Sequence, residues 1–223
     1  GKTLISSALL HALVQTGVQA AGMKPIAAGA ELRDGVWHNE DADQLTAVAN
    51  VALPRELVTP YLMQEAAAPH IAAALEGITI DLTHIRACYA RIADMAEAVV
   101  VEGVGGFRVP LSGQCDTADL AQQLGLPVIM VVGLRLGCLN HALLTAEAIT
   151  ARGLTLAGWV ANSVDVGMPH GAANIDALAQ RLNAPLLGYV PRLAEPSAAL
   201  VAAHLDFSSL PGWPGTLSDS DSL

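Results

Sequence analysis

Ala98-Val99-Val100-Val101-Glu102-Gly103-Val104-Gly105-Gly106 is the stretch on which the fold turns. Three valines after an alanine, with no polar alternation, make a strand buried on both faces. The strand ends on a carboxylate, and the glycines after it let a loop pass close to a ligand. Similar apolar runs occur at 20–27, 127–132, 154–162 and 185–190. Between them the spacing predicts helices over 3–19, 41–49, from Pro69, over 81–97 behind an Asp81 cap, and over 117–124, 140–152 and 172–183. The segments 31–39 and 51–63 read as loops or irregular chain. Buried strands alternating with helices predict an α/β fold, a doubly wound and mostly parallel sheet with helices on both faces. Residues 1–207 read as one domain and 208–223, rich in Ser, Gly, Pro and Asp, as a flexible tail.

Composition removes several function classes. With 11 Lys+Arg against 21 Asp+Glu, the chain has little material for a basic face, so neither nucleic acid nor anionic membrane is an expected partner. No apolar run reaches the length of about 18 residues that a transmembrane helix needs, and no signal peptide is read at Gly1. Cys88, Cys115 and Cys138 are odd in number and far apart, which suits reduced thiols in a cytoplasmic protein. The chain has only two lysines, Lys2 and Lys24, so each stands out against nine arginines.

Ligands of such sheets bind beyond the carboxyl ends of the strands. Lys24, Glu102, Gly133, Asn162 and Pro191 fall at or just after strand ends, so they are expected along one edge. Gly1-Lys2-Thr3 running into a helix matches the back half of a phosphate loop. Glycine lets the backbone approach phosphates, the helix N-terminus offers N–H groups, lysine reaches the terminal phosphates and threonine holds Mg2+. Such a loop follows a strand, so the first core strand and the loop's front half, roughly ten residues, are expected to be missing ahead of Gly1.

Glu102 reads as the carboxylate that holds Mg2+ directly or through water, or else as a surface residue ending a strand. Lys24 precedes Pro25 and could neutralise charge on a transferring phosphoryl group, or be a strand-end lysine that snorkels to water. Asp41 is a second metal carboxylate or a helix cap, with Asp43 as its neighbouring competitor. Asn162 could read an adenine edge or simply sit in a turn. The histidines have no metal-ligand spacing, and no Gly-x-Ser-x-Gly elbow supports serine hydrolysis.

Taken together, these segments resemble the ATP-dependent dethiobiotin synthetases of the P-loop NTPase superfamily. The resemblance is carried by Gly1-Lys2-Thr3, Lys24 to Gly29, Asn39-Glu40-Asp41-Ala42, Pro69-His70-Ile71, Val101 to Gly106, the run from Val131 through Gly137-Cys138-Leu139-Asn140-His141 to Ala142, and Gly158-Trp159-Val160-Ala161-Asn162. It spans residue 1 to about 195, nearly all of the chain. It implies that 7,8-diaminononanoate, CO2 and MgATP are joined into dethiobiotin through a carbamate and a carbamic-phosphoric anhydride. It further implies that Lys2 and Lys24 act on the phosphates, that Gly1, Lys2, Thr3, Asn162 and Pro191 bind the nucleotide, and that Thr3, Asp41 and Glu102 hold Mg2+. By the same resemblance Ala28, Gly137, Cys138 and Asn140 bind the substrate, the last three from the second subunit of a homodimer. Ala28 stands where some members have Ser, and Ala67-Ala68 where some have hydroxyl residues, which leaves contact there to the backbone.

Three other readings compete. A cobyrinate-type amidating synthetase would need a glutaminase domain with a nucleophilic cysteine. A partition or septum-positioning ATPase switch would carry an aspartate-centred switch where this chain has Glu102-Gly103-Val104. A degraded paralogue would bind nucleotide without turnover.

Overall fold

The computed structural model describes residues 1–165 and 168–214. Its framework is five parallel strands in two pieces. In the first, β1 (Ala20–Met23) pairs with β6 (Ala98–Val101), from Ala20 opposite Ala98 to Met23 opposite Val101. In the second, β7 (Val128–Leu134), β8 (Leu156–Ser163) and β9 (Leu186–Val190) lie side by side in that order. Between β1 and β6 in sequence come a short parallel pair, β2 (Ile26–Ala27) with β5 (Tyr61–Leu62), and an antiparallel hairpin, β3 (Glu31–Arg33) with β4 (Val36–His38). The helices are α1 (Lys2–Gln15), α2 (Glu40–Val48), α3 (Arg55–Val58), α4 (Pro69–Leu75), α5 (Leu82–Ala93), α6 (Thr117–Leu124), α7 (Cys138–Ala151), α8 (Gly171–Ala179) and α9 (Ala198–Ala202).

Side-chain alternation shows why helices cover both faces. Met130 and Val132 of β7 and Trp159 of β8 pack with Ala142 of α7 and Leu178 of α8. The intervening Ile129, Val131 and Val160 pack with Ile5 and Ala8 of α1 and Val201 of α9. In the first piece, Met23 and Val101 meet Ile85 and Ile92 of α5, while Ala20 and Val100 meet Leu10 and Leu13 of α1. Helix α1 therefore bridges the two pieces with one face on each, Ile5, Ala8 and Ala12 on one and Leu10, Leu13 and Val14 on the other. Consecutive residues of a strand point to opposite faces, so an unbroken apolar run is what this two-sided burial requires.

Strands β6 and β7 are not paired. They face a cleft of about 850 Å3, walled by Val99 and Val101 on one side and Ile129 and Val131 on the other, with Gly1 and Ile5 of α1 also lining it.

Several boundaries differ from the sequence reading. The polar stretch 31–39 is a hairpin, because Asp34-Gly35 supplies two left-handed residues for a tight turn. The irregular stretch 51–63 contains α3 and β5. Gly133 lies within β7 rather than after it, and α7 begins at Cys138, two residues before the expected start. The chain does not fray at 208: Leu210 and Trp213 pack with the α1–α9 cluster, and Trp213 stacks at 5.4 Å from Phe207. The remainder of the expected tail, 215–223, lies outside the described residues. No helix of the described chain is long and apolar enough to cross a membrane.

Candidate active site

Lys24 follows β1 and Glu102 follows β6, so the parallel register of those strands brings the two side by side. Lys24 Nζ lies 2.7 Å from Glu102 Oε1 and 2.7 Å from Asp41 Oδ2, and also reaches the Gly103 carbonyl at 3.3 Å. Both Lys24 and Glu102 are 2% exposed, which excludes the snorkelling and surface-cap readings. Thr3, in the first turn of α1, places its hydroxyl 2.6 Å from Asp41 Oδ1 and 2.8 Å from Glu102 Oε1. Four separate parts of the sequence thus meet at one point.

Asp41 owes its position to α2. That helix is capped by Asn39, whose side chain accepts from the Ala42 amide, so the Asp41 carboxylate is not spent on capping. A Cβ on Gly22 of β1 would stand 2.8 Å from Leu45 Cβ, so the missing side chain is what lets α2 lie close against the strand. Asp43, the competitor, is turned toward the hairpin, where it meets His38, Arg33 and Arg55. Burial raises the Asp41 pKa, but hydrogen bonds from Lys24 and Thr3 and the charges of both lysines outweigh it. The carboxyl is held below its ordinary range.

The oxygen set fits a hard divalent cation. Thr3 has one hydroxyl proton but two carboxylate oxygens within hydrogen-bond distance. Glu102 Oε2 is buried with no partner, and two carboxylates against one lysine leave a net negative charge. Among the described residues, no group of three or more His, Cys, Asp or Glu side chains converges. Two carboxylates and a hydroxyl suit Mg2+, which keeps waters and takes phosphate oxygens for its remaining positions.

The cleft brings together Gly1, Lys2, Glu102, the loop Gly103–Phe107, Cys138 and Asn162. Asn162 lies inside β8 rather than in a turn, is buried, and presses its amide against Gly1, where a Cβ would collide with it. Cys138 is buried at the start of α7 among Leu134, Ala142 and Trp159. Thr3, Lys24 and Asp41 gather around Glu102 beside the cleft rather than in its lining, and Gly137, Asn140, Pro191 and Ala28 also stand outside it. Gly137 caps α7 in a left-handed conformation and Asn140 is exposed beside it. Pro191 directly follows β9, and Ala28 packs beside the α5 core with its carbonyl 3.4 Å from Asn39 Nδ2. One residue that no motif pointed to is Thr117, which also lines the cleft.

A family model described as an AAA domain matches residues 1–199. In overall shape the chain is similar to the MinD cell division protein of Aquifex aeolicus, at a TM-score of 0.53 and 14% identity, covering 91% of this chain and 88% of that one. It is also similar to the signal recognition particle 54 kDa protein of Aeropyrum pernix, at 0.50 and 17%, covering 89% of this chain and 40% of that one. At such identities these likenesses concern the fold alone. In sequence the chain is 68% identical over 218 residues to the ATP-dependent dethiobiotin synthetase BioD of Janthinobacterium sp. (strain Marseille), covering 96% of this chain and 92% of that protein. With that identity over nearly its whole length, and with Lys24, Asp41, Glu102 and Thr3 drawn to one point, the chain belongs to the ATP-dependent dethiobiotin synthetase family.

Proposed function

We infer that this chain closes the ureido ring of dethiobiotin from 7,8-diaminononanoate, CO2 and MgATP, a step of biotin biosynthesis in the cytoplasm. The observation that carries the reading is the buried Lys24, held between Asp41 and Glu102 at the phosphate end of α1. One amine of the substrate captures CO2 as a carbamate. A carbamate oxygen attacks the terminal phosphoryl group and ADP leaves. The second amine then attacks the carbonyl carbon, closes the ring and expels phosphate.

The protein's part is positioning and charge neutralisation, the main needs of phosphoryl transfer. The Lys24 ammonium, fixed by two carboxylates, offsets negative charge that grows on the transferring group. Lys2 lines the cleft in the first turn of α1, where the helix N-terminus adds partial positive charge for phosphates. Thr3, Asp41 and Glu102 would hold Mg2+, which when bound screens the phosphate charge. Asn162, with Pro191 just beyond β9, takes the adenine end. Carbamate formation needs a neutral amine, so turnover rises toward mildly alkaline pH.

The substrate site is completed by a second copy of the chain. Gly137 and Asn140 are exposed, next to Leu136 at 96% and near Leu144 at 56% exposure, an apolar surface suited to a partner subunit. Across that contact the start of α7 meets the substrate carboxylate through backbone N–H groups of Gly137 and Asn140, with Cys138 between them spending its own N–H on the Arg135 carbonyl, and Ala28 contributes backbone only. The deciding experiment follows phosphate release from MgATP and bicarbonate, with and without 7,8-diaminononanoate. Diamine-dependent release with a product of dethiobiotin mass supports the reading. Release that ignores the diamine overturns it.

A further inference from the structure

The loop Gly103–Phe107 follows Glu102 and forms one wall of the cleft. Val104 anchors it on the α5 core. Nothing stands within 4 Å of a Cβ built on Gly103 or Gly106, and Gly105 adopts φ +63. Hydrogen bonds to its carbonyls add to that anchor. Beyond the loop the chain folds back as a narrow hairpin: Pro110 bridges Asp116, and the Leu111 and Ser112 amides donate to the Cys115 carbonyl. Thr117 closes this hairpin at the first position of α6.

Thr117 is 9% exposed, and its hydroxyl is fully used. It accepts from the Val109 amide at 2.9 Å and donates to the Phe107 carbonyl at 2.7 Å, with the Gly106 carbonyl at 3.2 Å as the alternative acceptor. The Thr117 amide in turn donates to the Val109 carbonyl at 2.9 Å. The helix end that carries Thr117 is itself fixed, because Asp116 and Asp119 form a capping box and Asp116 pairs with Arg108. At the loop's other end Lys24 binds the Gly103 carbonyl. In a trans peptide the next N–H points opposite to the carbonyl. With the Gly106 and Phe107 carbonyls both directed at the Thr117 hydroxyl, the Phe107 and Arg108 N–H groups point away from it. Consecutive N–H groups held in this way attract anions.

We propose that Thr117 is a positioning residue for MgATP: its hydroxyl sets the glycine loop in the shape that receives the nucleotide phosphates. The proposal rests on the reading of the cleft as a nucleotide site. The test compares the parent chain with Thr117→Val and Thr117→Ser, by calorimetric titration with MgATP and by steady-state kinetics. Thr117→Val strands a buried donor and acceptor, so its MgATP affinity is expected to fall about tenfold. Its KM for MgATP rises in parallel, while KM for the diamine stays within about twofold, and Thr117→Ser restores parent affinity. If Thr117→Val does not fold, Thr117→Ala carries the same comparison. Parent-like MgATP affinity in the valine or alanine variant overturns the proposal, as does a serine variant as weak as the valine one. A parent chain that binds no MgATP overturns the nucleotide-site reading itself, and this proposal with it.

Discussion

Thr3 Oγ1 stands 2.8 Å from Glu102 Oε1, an oxygen that also takes Lys24 Nζ at 2.7 Å. One carboxylate oxygen thus joins the start of α1 to Lys24, the two elements proposed to act on the phosphates. Glu102→Gln keeps the shape and removes the charge. It is expected to lower kcat by about a hundredfold, the scale of losing one electrostatic contributor. It also raises the Mg2+ concentration needed for half-maximal rate. Initial rates over a Mg2+ titration at fixed ATP check both; an unchanged Mg2+ requirement would remove Glu102 from the metal site.

Lys24→Gln is expected to cut turnover by about a thousandfold. The sequence suggests that the fold would survive untouched, but burial adds a cost. Glu102 would lose its ion pair in a site where its side chain is only 1% exposed, which destabilises by about 3 kcal/mol. The double variant Lys24→Met, Glu102→Leu should regain stability without regaining turnover, because it removes both charges together. Thermal melts alongside phosphate release separate the two effects. A single variant with parent-like turnover would end the catalytic role of Lys24.

Gly22→Ala tests how Asp41 is placed. The new methyl would press on Leu45 Cβ, and α2 would have to retreat from β1. Overpacking of this kind costs about 1–3 kcal/mol. Because α2 carries Asp41, kcat should fall along with the melting temperature. Asp43→Asn, in the network with His38, Arg33 and Arg55, should leave kcat within about twofold, since its partners are those residues rather than Thr3 and Lys24. Equal losses in Asp41→Asn and Asp43→Asn would refute the assignment of Asp41 over its neighbour.

Asp119 gives a pH signature. A hydrogen bond from Arg152, helped by the Asp116 backbone, holds its carboxyl below the ordinary value of 3.8. A lowered folded pKa means that the unfolded chain binds more protons between the two values. The stabilisation is therefore present above 3.8 and lost as pH falls through the folded value. Asp119→Asn should flatten that acid limb of melting temperature against pH and cost about 1 kcal/mol at neutral pH through the weakened capping box. An unaltered acid limb would show that Asp119 does not contribute to it.

The sequence made the strands and the main helices legible because their burial is two-sided and their periodicity clean, as in Val99-Val100-Val101 and in 117–124. Glu102 and Lys24 were legible as strand-end residues, since a parallel sheet places its strand ends on one edge. The choice of Asp41 over Asp43 came from the resemblance alone and not from periodicity, because two residues on one helix differ only in which neighbour they face. Helix α9 escaped notice as a five-residue element whose reason for forming is Val201 packing beneath α1. Thr117 carried no signal beyond the Asp116-x-x-Asp119 cap, since its partners are backbone atoms that the sequence does not identify.

Helix α1 rests on α9, whose Val201 packs with Ile5 and Ala8 from the opposite end of the chain. Contacts between such remote segments are expensive to close and form late in folding. During synthesis α1 emerges well before the residues around Val201 that complete its seat. A nascent chain therefore carries Lys2, Thr3 and Lys24 well before it can hold them together. Nucleotide bound to the completed site would then act as a folding ligand as well as a substrate.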